Sequence, residues 1–192
     1  MELMRDNSYN YCVGTNNLSL RSAIIRTLSE AGFKSSGEAK NIADFLRTLR
    51  MLQPWLAIID TALPPGNINE LINIIKNDSL AATICINTNG INMDEAISIN
   101  WPFEKEVLIA VSTAVCHEFA HIKSLNKKIE SLQNQLVERK IIEKAKGILI
   151  KTYLMEEGEA FRLIQSKSME HRIPMAKLSL MIIKDPFYTD NL

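Results

Sequence analysis

Residues 55–60 read WLAIID, a short apolar run closed by one acid. Its residues do not alternate between apolar and polar. A run of this length without alternation is the mark of a strand buried on both faces, as in a parallel sheet covered by helices on either side. Upstream, YNYCVG (9–14) reads as a strand. LSLRSAIIRTLSEAGF (18–33) places Leu20, Ile24, Ile25 and Leu28 at helical spacing and closes at Gly32. A short second strand falls at Lys34–Gly37, and AKNIADFLRTLRML (39–52) reads as a second helix. Downstream come a loop, LPPGN (63–67), a helix, INELINIIKN (68–77), and a strand, TICINT (83–88). MDEAISI (93–99) reads as a short helix, and a loop around WPF (101–103) precedes a helix starting near Glu104. Strands alternating with helices over about 120 residues predict an α/β, doubly wound parallel sheet.

From Glu104 onward the pattern is helical. Ile122, Leu125, Ile129, Leu132 and Leu136 follow 3-4-3-4 spacing with polar residues between them, an a/d seam of two heptads that suits a coiled-coil dimer. The seam would continue at Arg139 and Glu143 and therefore stops there. Two short segments follow. EEGEAFRLIQSKSMEH (156–171) is expected to turn Ala160, Phe161, Ile164 and Met169 inward, and MAKLSLMIIK (175–184) has Pro174 in its first turn. Neither is long enough to be stable alone, so with the end of the preceding helix they should pack as a three-helix unit.

The 192 residues carry no net charge, but the charge is unevenly spread. Residues 1–120 hold 9 Lys/Arg against 13 Asp/Glu, while residues 121–184 hold 13 against 7. A basic back portion points to a polyanionic partner. No apolar run approaches a membrane span, and the N-terminal MELMRDNSYN lacks the apolar core of a signal peptide, so a cytoplasmic protein without a membrane partner is expected. Cys12, Cys85 and Cys116 are odd in number and lack CxxC spacing, which suits buried reduced thiols. His117 and His121 have i,i+4 spacing but no evident third ligand, so they read as a solvated helix face rather than a metal site. No catalytic constellation or cofactor motif is present.

The basic portion centres on RKIIEKAKGILIK (139–151). At 100° per residue Lys140, Lys144, Gly147 and Lys151 fall within a stripe about 60° wide. Ile141, Ile142, Ala145, Ile148 and Leu149 fill the opposite arc, and Arg139 and Lys146 share a flank. Gly147 costs a helix roughly 1 kcal/mol relative to alanine. On the wheel it opens a bare patch where a nucleic-acid backbone or another helix can come close.

The front portion resembles the receiver domain of two-component response regulators. IIDTALP (58–64), Pro102 after the fifth strand and the strand–helix order across residues 9–120 carry the resemblance. It implies a five-stranded flavodoxin-like fold with Asp60 at the phosphoacceptor position. Receivers add an acidic pair after the first strand, which holds Mg²⁺, and a lysine before the proline. Here those positions are Gly14-Thr15-Asn16-Asn17 and Trp101, and the expected Thr/Ser falls on Asn87 or Thr88. Asp60 then reads as a strand-end carboxylate, and the domain as a pseudo-receiver answering to a regulatory protein, a small ligand or nothing.

The back portion resembles the ANTAR domain, the RNA-binding module of transcription antitermination regulators. ERKIIEKAKGIL (138–149), EAFRLI (159–164) and the spacing of Met169, Ala176 and Ile182 carry it over roughly residues 125–184. Met155 stands where the family often has a capping serine. The order receiver-like domain, coiled coil and ANTAR domain resembles the amidase-operon and nitrate-assimilation antiterminators. It implies a pseudo-receiver at 1–115, a coiled-coil linker helix at 116–137, a three-helix ANTAR domain at 138–184 and a tail at 185–192. It further implies a homodimer that binds paired RNA stem-loops in a leader transcript and prevents the terminator from forming. Candidate RNA contacts are Arg139, Lys140, Lys144, Lys146, Gly147, Lys151, Arg162, Lys167, Arg172 and Lys177, with Tyr153 as a stacking aromatic. Two other readings stay open: a phosphorylation-controlled DNA-binding response regulator, since a small basic helical domain can enter a major groove, and a protein-interaction adaptor working through the coiled coil.

Overall fold

The computed structural model describes residues 9–90 and 96–188, which fall into two compact units meeting at Lys123 and Ser124. In the first unit five strands form one parallel sheet: β1 (Asn10–Gly14), β2 (Lys34–Ala39), β3 (Leu56–Asp60), β4 (Ala82–Asn87) and β5 (Ile97–Asn100), in the order β2-β1-β3-β4-β5. All five residues of β3 are buried. The apolar run was expected to face two layers, and it does. Leu56 and Ile58 join Tyr11, Val13, Leu20, Ile24, Ile84 and Leu108 on one side. Ala57 and Ile59 join Cys12, Phe45, Leu49, Leu71, Ile75 and Cys85 on the other.

The helices α1 (Leu18–Glu30), α2 (Ile42–Leu52) and α3 (Ile68–Asn77) each start behind an asparagine. The Oδ1 atoms of Asn17, Asn41 and Asn67 accept from backbone N–H groups of the first turn, which would otherwise lack partners. These caps place the start of α2 three residues later than the apolar pattern suggested. At the other end of α1, Gly32 has φ +86°, a conformation that side chains resist.

Two expectations need correction here. Residues 97–99 were read as helix, but they lie in β5, where Ile99 pairs with Ile86 and is buried. Ala96, before β5, is a bend rather than helix, and residues 93–95 of that expected helix lie outside the described residues. β2 is longer than expected, running to Ala39. The three cysteines are free and buried, and burial pushes the thiols up to about 11 for Cys12 and about 12 for Cys85 and Cys116.

Helix α4 runs from Lys105 to Tyr153. In the second unit its last turns are followed by α5 (Glu157–His171) and α6 (Met175–Lys184). Leu154 breaks α4 with φ +55°. The side chain of Glu159 accepts from the Glu156 N–H at 3.0 Å, so a glutamate rather than a serine organises the start of α5. Pro174 is the residue before α6, one position ahead of the first turn expected for it. No helix among the described residues is long and apolar enough to cross a membrane.

Candidate nucleic-acid interface

Six fully buried side chains hold the three helices of the second unit together: Ala145 and Leu149 from α4, Ala160 and Ile164 from α5, Leu178 and Ile182 from α6. Ile148, Leu163 and Ile183 pack around them. Two residues expected to join this core do not. Phe161 is 40% exposed and Met169 is 73% exposed. Helix geometry gives the reason: from Ala160, Phe161 is turned by 100° and Met169 by half a circle, while Ile164 is turned by only 40°.

The buried arc on α4 fixes where its cations go. Lys140, Lys144 and Lys151 are exposed, and none of them ion-pairs with a carboxylate among the described residues. Gly147 lies between them with nothing within 4 Å of the place a Cβ would take. Arg139, Arg162, Arg172 and Lys177 are exposed as well.

Lys146 differs from the others. Its side chain is only 9% exposed, and its ammonium donates to Glu143 at 2.8 Å and Glu157 at 2.7 Å. Those carboxylates hold the ammonium above the usual lysine range, and in return Lys146 holds Glu157 below the usual carboxylate range. This cation ties the end of α4 to the start of α5. Lys167 is half-buried and lies 3.6 Å from Glu170. Tyr153 is half-buried too; its hydroxyl donates to the Pro186 carbonyl at 3.4 Å, and its ring meets Phe187 edge-on with centroids 6.2 Å apart. The five seam residues Ile122, Leu125, Ile129, Leu132 and Leu136 are 45–59% exposed.

In the first unit, Asp60 ends β3 at the mouth of the sheet and is 3% exposed. Both carboxylate oxygens are engaged. Thr15 donates to Oδ2 at 2.7 Å, while Thr88 at 2.6 Å and the Ala62 N–H at 2.9 Å donate to Oδ1. Thr88, rather than Asn87, supplies the hydroxyl after β4. Asn16, Asn17 and Asn89 line the rest of this cleft, so among the described residues Asp60 is its one carboxylate. A receiver-type Mg²⁺ centre does not fit such a set, because a hard divalent cation needs more anionic oxygen than one hydrogen-bonded carboxylate provides. Trp101, at the lysine position, packs edge-on to Phe103 with centroids 5.3 Å apart.

Sequence reading missed Glu143 and Glu157 as the partners of Lys146, and the exposure of Phe161. The wheel of α5 already contained the last of these. The ion pair to Glu157 spans eleven residues and a helix reversal, and no local pattern announces it.

Comparison with known proteins agrees with this geometry. The ANTAR domain model matches residues 130–183. The chain is 22% identical over 173 residues to the transcriptional regulatory protein PdtaR of Mycobacterium tuberculosis (strain H37Rv), covering 86% of this chain and 84% of that one. The fold of the first unit is shared with the signal receiver domain of the response regulator NarL from Mycobacterium tuberculosis, at TM-score 0.52 and 13% identity over 58% of this chain and 98% of that one. It is shared equally with the receiver domain of the Luxo repressor protein from Vibrio parahaemolyticus, at TM-score 0.55 and 14% identity over 62% and 98% of the two chains. With the three-helix core, the cation stripe and the parallel sheet in view, residues 130–183 of this chain match the ANTAR domain, and they follow an α/β unit with the fold of receiver domains.

Proposed function

We propose that this protein is an RNA-binding transcription antiterminator. In this reading it holds paired stem-loops of a leader transcript and so prevents the terminator hairpin from forming, by binding rather than by catalysis. The observation that carries the reading is the stripe on α4: Lys140, Lys144 and Lys151 are exposed around a glycine and ion-pair with no carboxylate among the described residues, so their charge is available to phosphates. Arg139, Arg162, Arg172 and Lys177 add to the basic surface. Lys146 and Lys167 belong to the scaffold, because carboxylates already hold them.

Two stem-loops call for two ANTAR domains. The exposed seam from Ile122 to Leu136 supplies them by pairing with a second copy, and a chain that sediments as a monomer with RNA bound removes that part of the reading. Control through a protein partner or small ligand fits the first unit better than phosphorylation, since Asp60 is hydrogen-bonded on both oxygens and has no second carboxylate beside it among the described residues.

The test compares a stem-loop RNA with duplex DNA of equal length, at physiological salt, for the wild-type chain and for the combined Lys140→Ala, Lys144→Ala and Lys151→Ala variant. The expected result is preference for RNA and loss of that binding in the variant with the fold intact. Preference for the DNA duplex would favour a DNA-binding regulator instead.

A further inference from the structure

Between α4 and α5 lies an open cleft of about 700 Å³. Phe161 forms one wall, Ile142 lines it from α4, and Gly158 leaves a gap in which nothing lies within 4 Å of an added Cβ. The Lys146 ammonium sits over the Phe161 ring, 6.0 Å from its centroid. Glu143 and Glu157 hold that ammonium in place, so ring and cation are set before any ligand arrives.

We propose that this cleft takes an unpaired RNA nucleobase, stacked on Phe161. The proposal rests on the RNA-binding reading above and adds where that RNA is read. A phosphate does not suit the cleft: Glu138, Glu143 and Glu157 outnumber Arg139 and Lys146 there. A nucleobase suits it, because a base is neutral, flat and apolar on its faces and polar at its edge. Gln135, Glu138 and Arg139 supply donors and acceptors for that edge. Only a loop or bulge presents a base in this way, since a stacked duplex hides its faces. Arg139 and Gly147 are separated by about 80° around α4, so a stem lying on the lysine stripe can deliver its loop to the cleft.

The full-length wild-type chain is used to select one hairpin from a pool with randomised loops on a fixed stem. Affinities are then measured for that hairpin, for the same hairpin with loop nucleotides made abasic one at a time, and for the blunt duplex of the stem. Phe161→Ala and Phe161→Leu are expected to weaken hairpin binding about 10-fold while duplex binding is unchanged, and Phe161→Tyr is expected to retain it. At one abasic position, Phe161→Ala is expected to cost nothing further. Unchanged hairpin affinity in Phe161→Ala, equal loss on duplex and hairpin, or full binding by Phe161→Leu would each overturn the stacking site while leaving RNA binding standing. If the wild-type chain selects no hairpin, the RNA reading itself fails and takes this proposal with it. Unaltered melting and sedimentation of Phe161→Leu exclude a folding defect as the cause of a loss.

Discussion

Asp60 and Lys144 are both charged residues at positions singled out by family resemblance, and the fold treats them in opposite ways. Asp60 is buried, with Thr15, Thr88 and a backbone N–H satisfying its oxygens. Lys144 is exposed, with no ion pair among the described residues. A charge whose partners are built into the protein serves the fold. A charge left to water keeps its interaction energy for a ligand, because it has only water and counterions to give up on binding. Lys146 sharpens the contrast. It lies two residues from Lys144 on the same helix, yet it is held by two carboxylates, as Asp60 is held by two hydroxyls.

The largest expected effect lies on the open side of this comparison. Replacing Lys140, Lys144 and Lys151 together by alanine removes three phosphate contacts. It should lower RNA affinity by roughly 100-fold at physiological salt and flatten the slope of log affinity against log salt by about 3. Titrations at several salt concentrations check both values, and an unchanged slope would show that the stripe does not touch phosphate.

On the closed side, Asp60→Ala strands the buried Thr15 hydroxyl without its acceptor, while Thr88 keeps Asn89 as a second acceptor at 2.9 Å. Leaving buried polar groups unpaired should cost the α/β unit about 1–3 kcal/mol, read as a lower midpoint in denaturant, with RNA affinity kept. Asp60→Asn retains an acceptor and should cost less. A loss of regulation with full stability in Asp60→Asn would instead return the residue to the phosphoacceptor role.

Lys146→Met tests the residue between the two extremes. The lowered Glu157 carboxyl contributes stability that is present above the ordinary glutamate range of about 4.3 and is lost as pH falls through its folded value. The raised Lys146 ammonium contributes stability that is present below about 10.4 and is lost as pH rises through its folded value. Lys146→Met should therefore flatten the melting temperature of the ANTAR domain at both ends of the pH scale while leaving the salt slope of RNA binding as it was. Identical pH profiles for the two proteins would show that these ion pairs do not hold α4 to α5.

The smallest effect is expected at Gly147. A Cβ there meets nothing within 4 Å, so Gly147→Ala should stabilise the domain by about 1 kcal/mol through helix propensity alone. If RNA affinity falls while stability rises, the bare patch serves close approach of the RNA. If both hold or improve, that idea fails.

Most of the sheet was legible because its signals are local. The apolar run of β3 and the helical spacing of Leu20, Ile24 and Leu28 each lie within a few residues of what they specify. β5 was not legible. Only Ile99 of its four residues is buried, and it becomes a strand by pairing with β4, an interaction between segments that outweighs its weak local pattern. On the candidate interface the lysine stripe followed from the wheel, and so, on closer arithmetic, should the exposure of Phe161 and Met169.

The α/β class, the positions of most helices, the register of the ANTAR motifs and the face on which Lys140, Lys144 and Lys151 stand are all written in the order of residues along the chain. The α/β class rests on short continuous apolar runs between segments of 3.6-residue periodicity, the lysine face on that same period, and the ANTAR register on the resemblance of its motifs. Which charges the fold consumes depends instead on how the elements pack. The pairing of Lys146 with Glu157, and of Asp60 with Thr15 and Thr88, depends on distances between segments far apart in the chain, and those distances exist only once the helices and strands have packed.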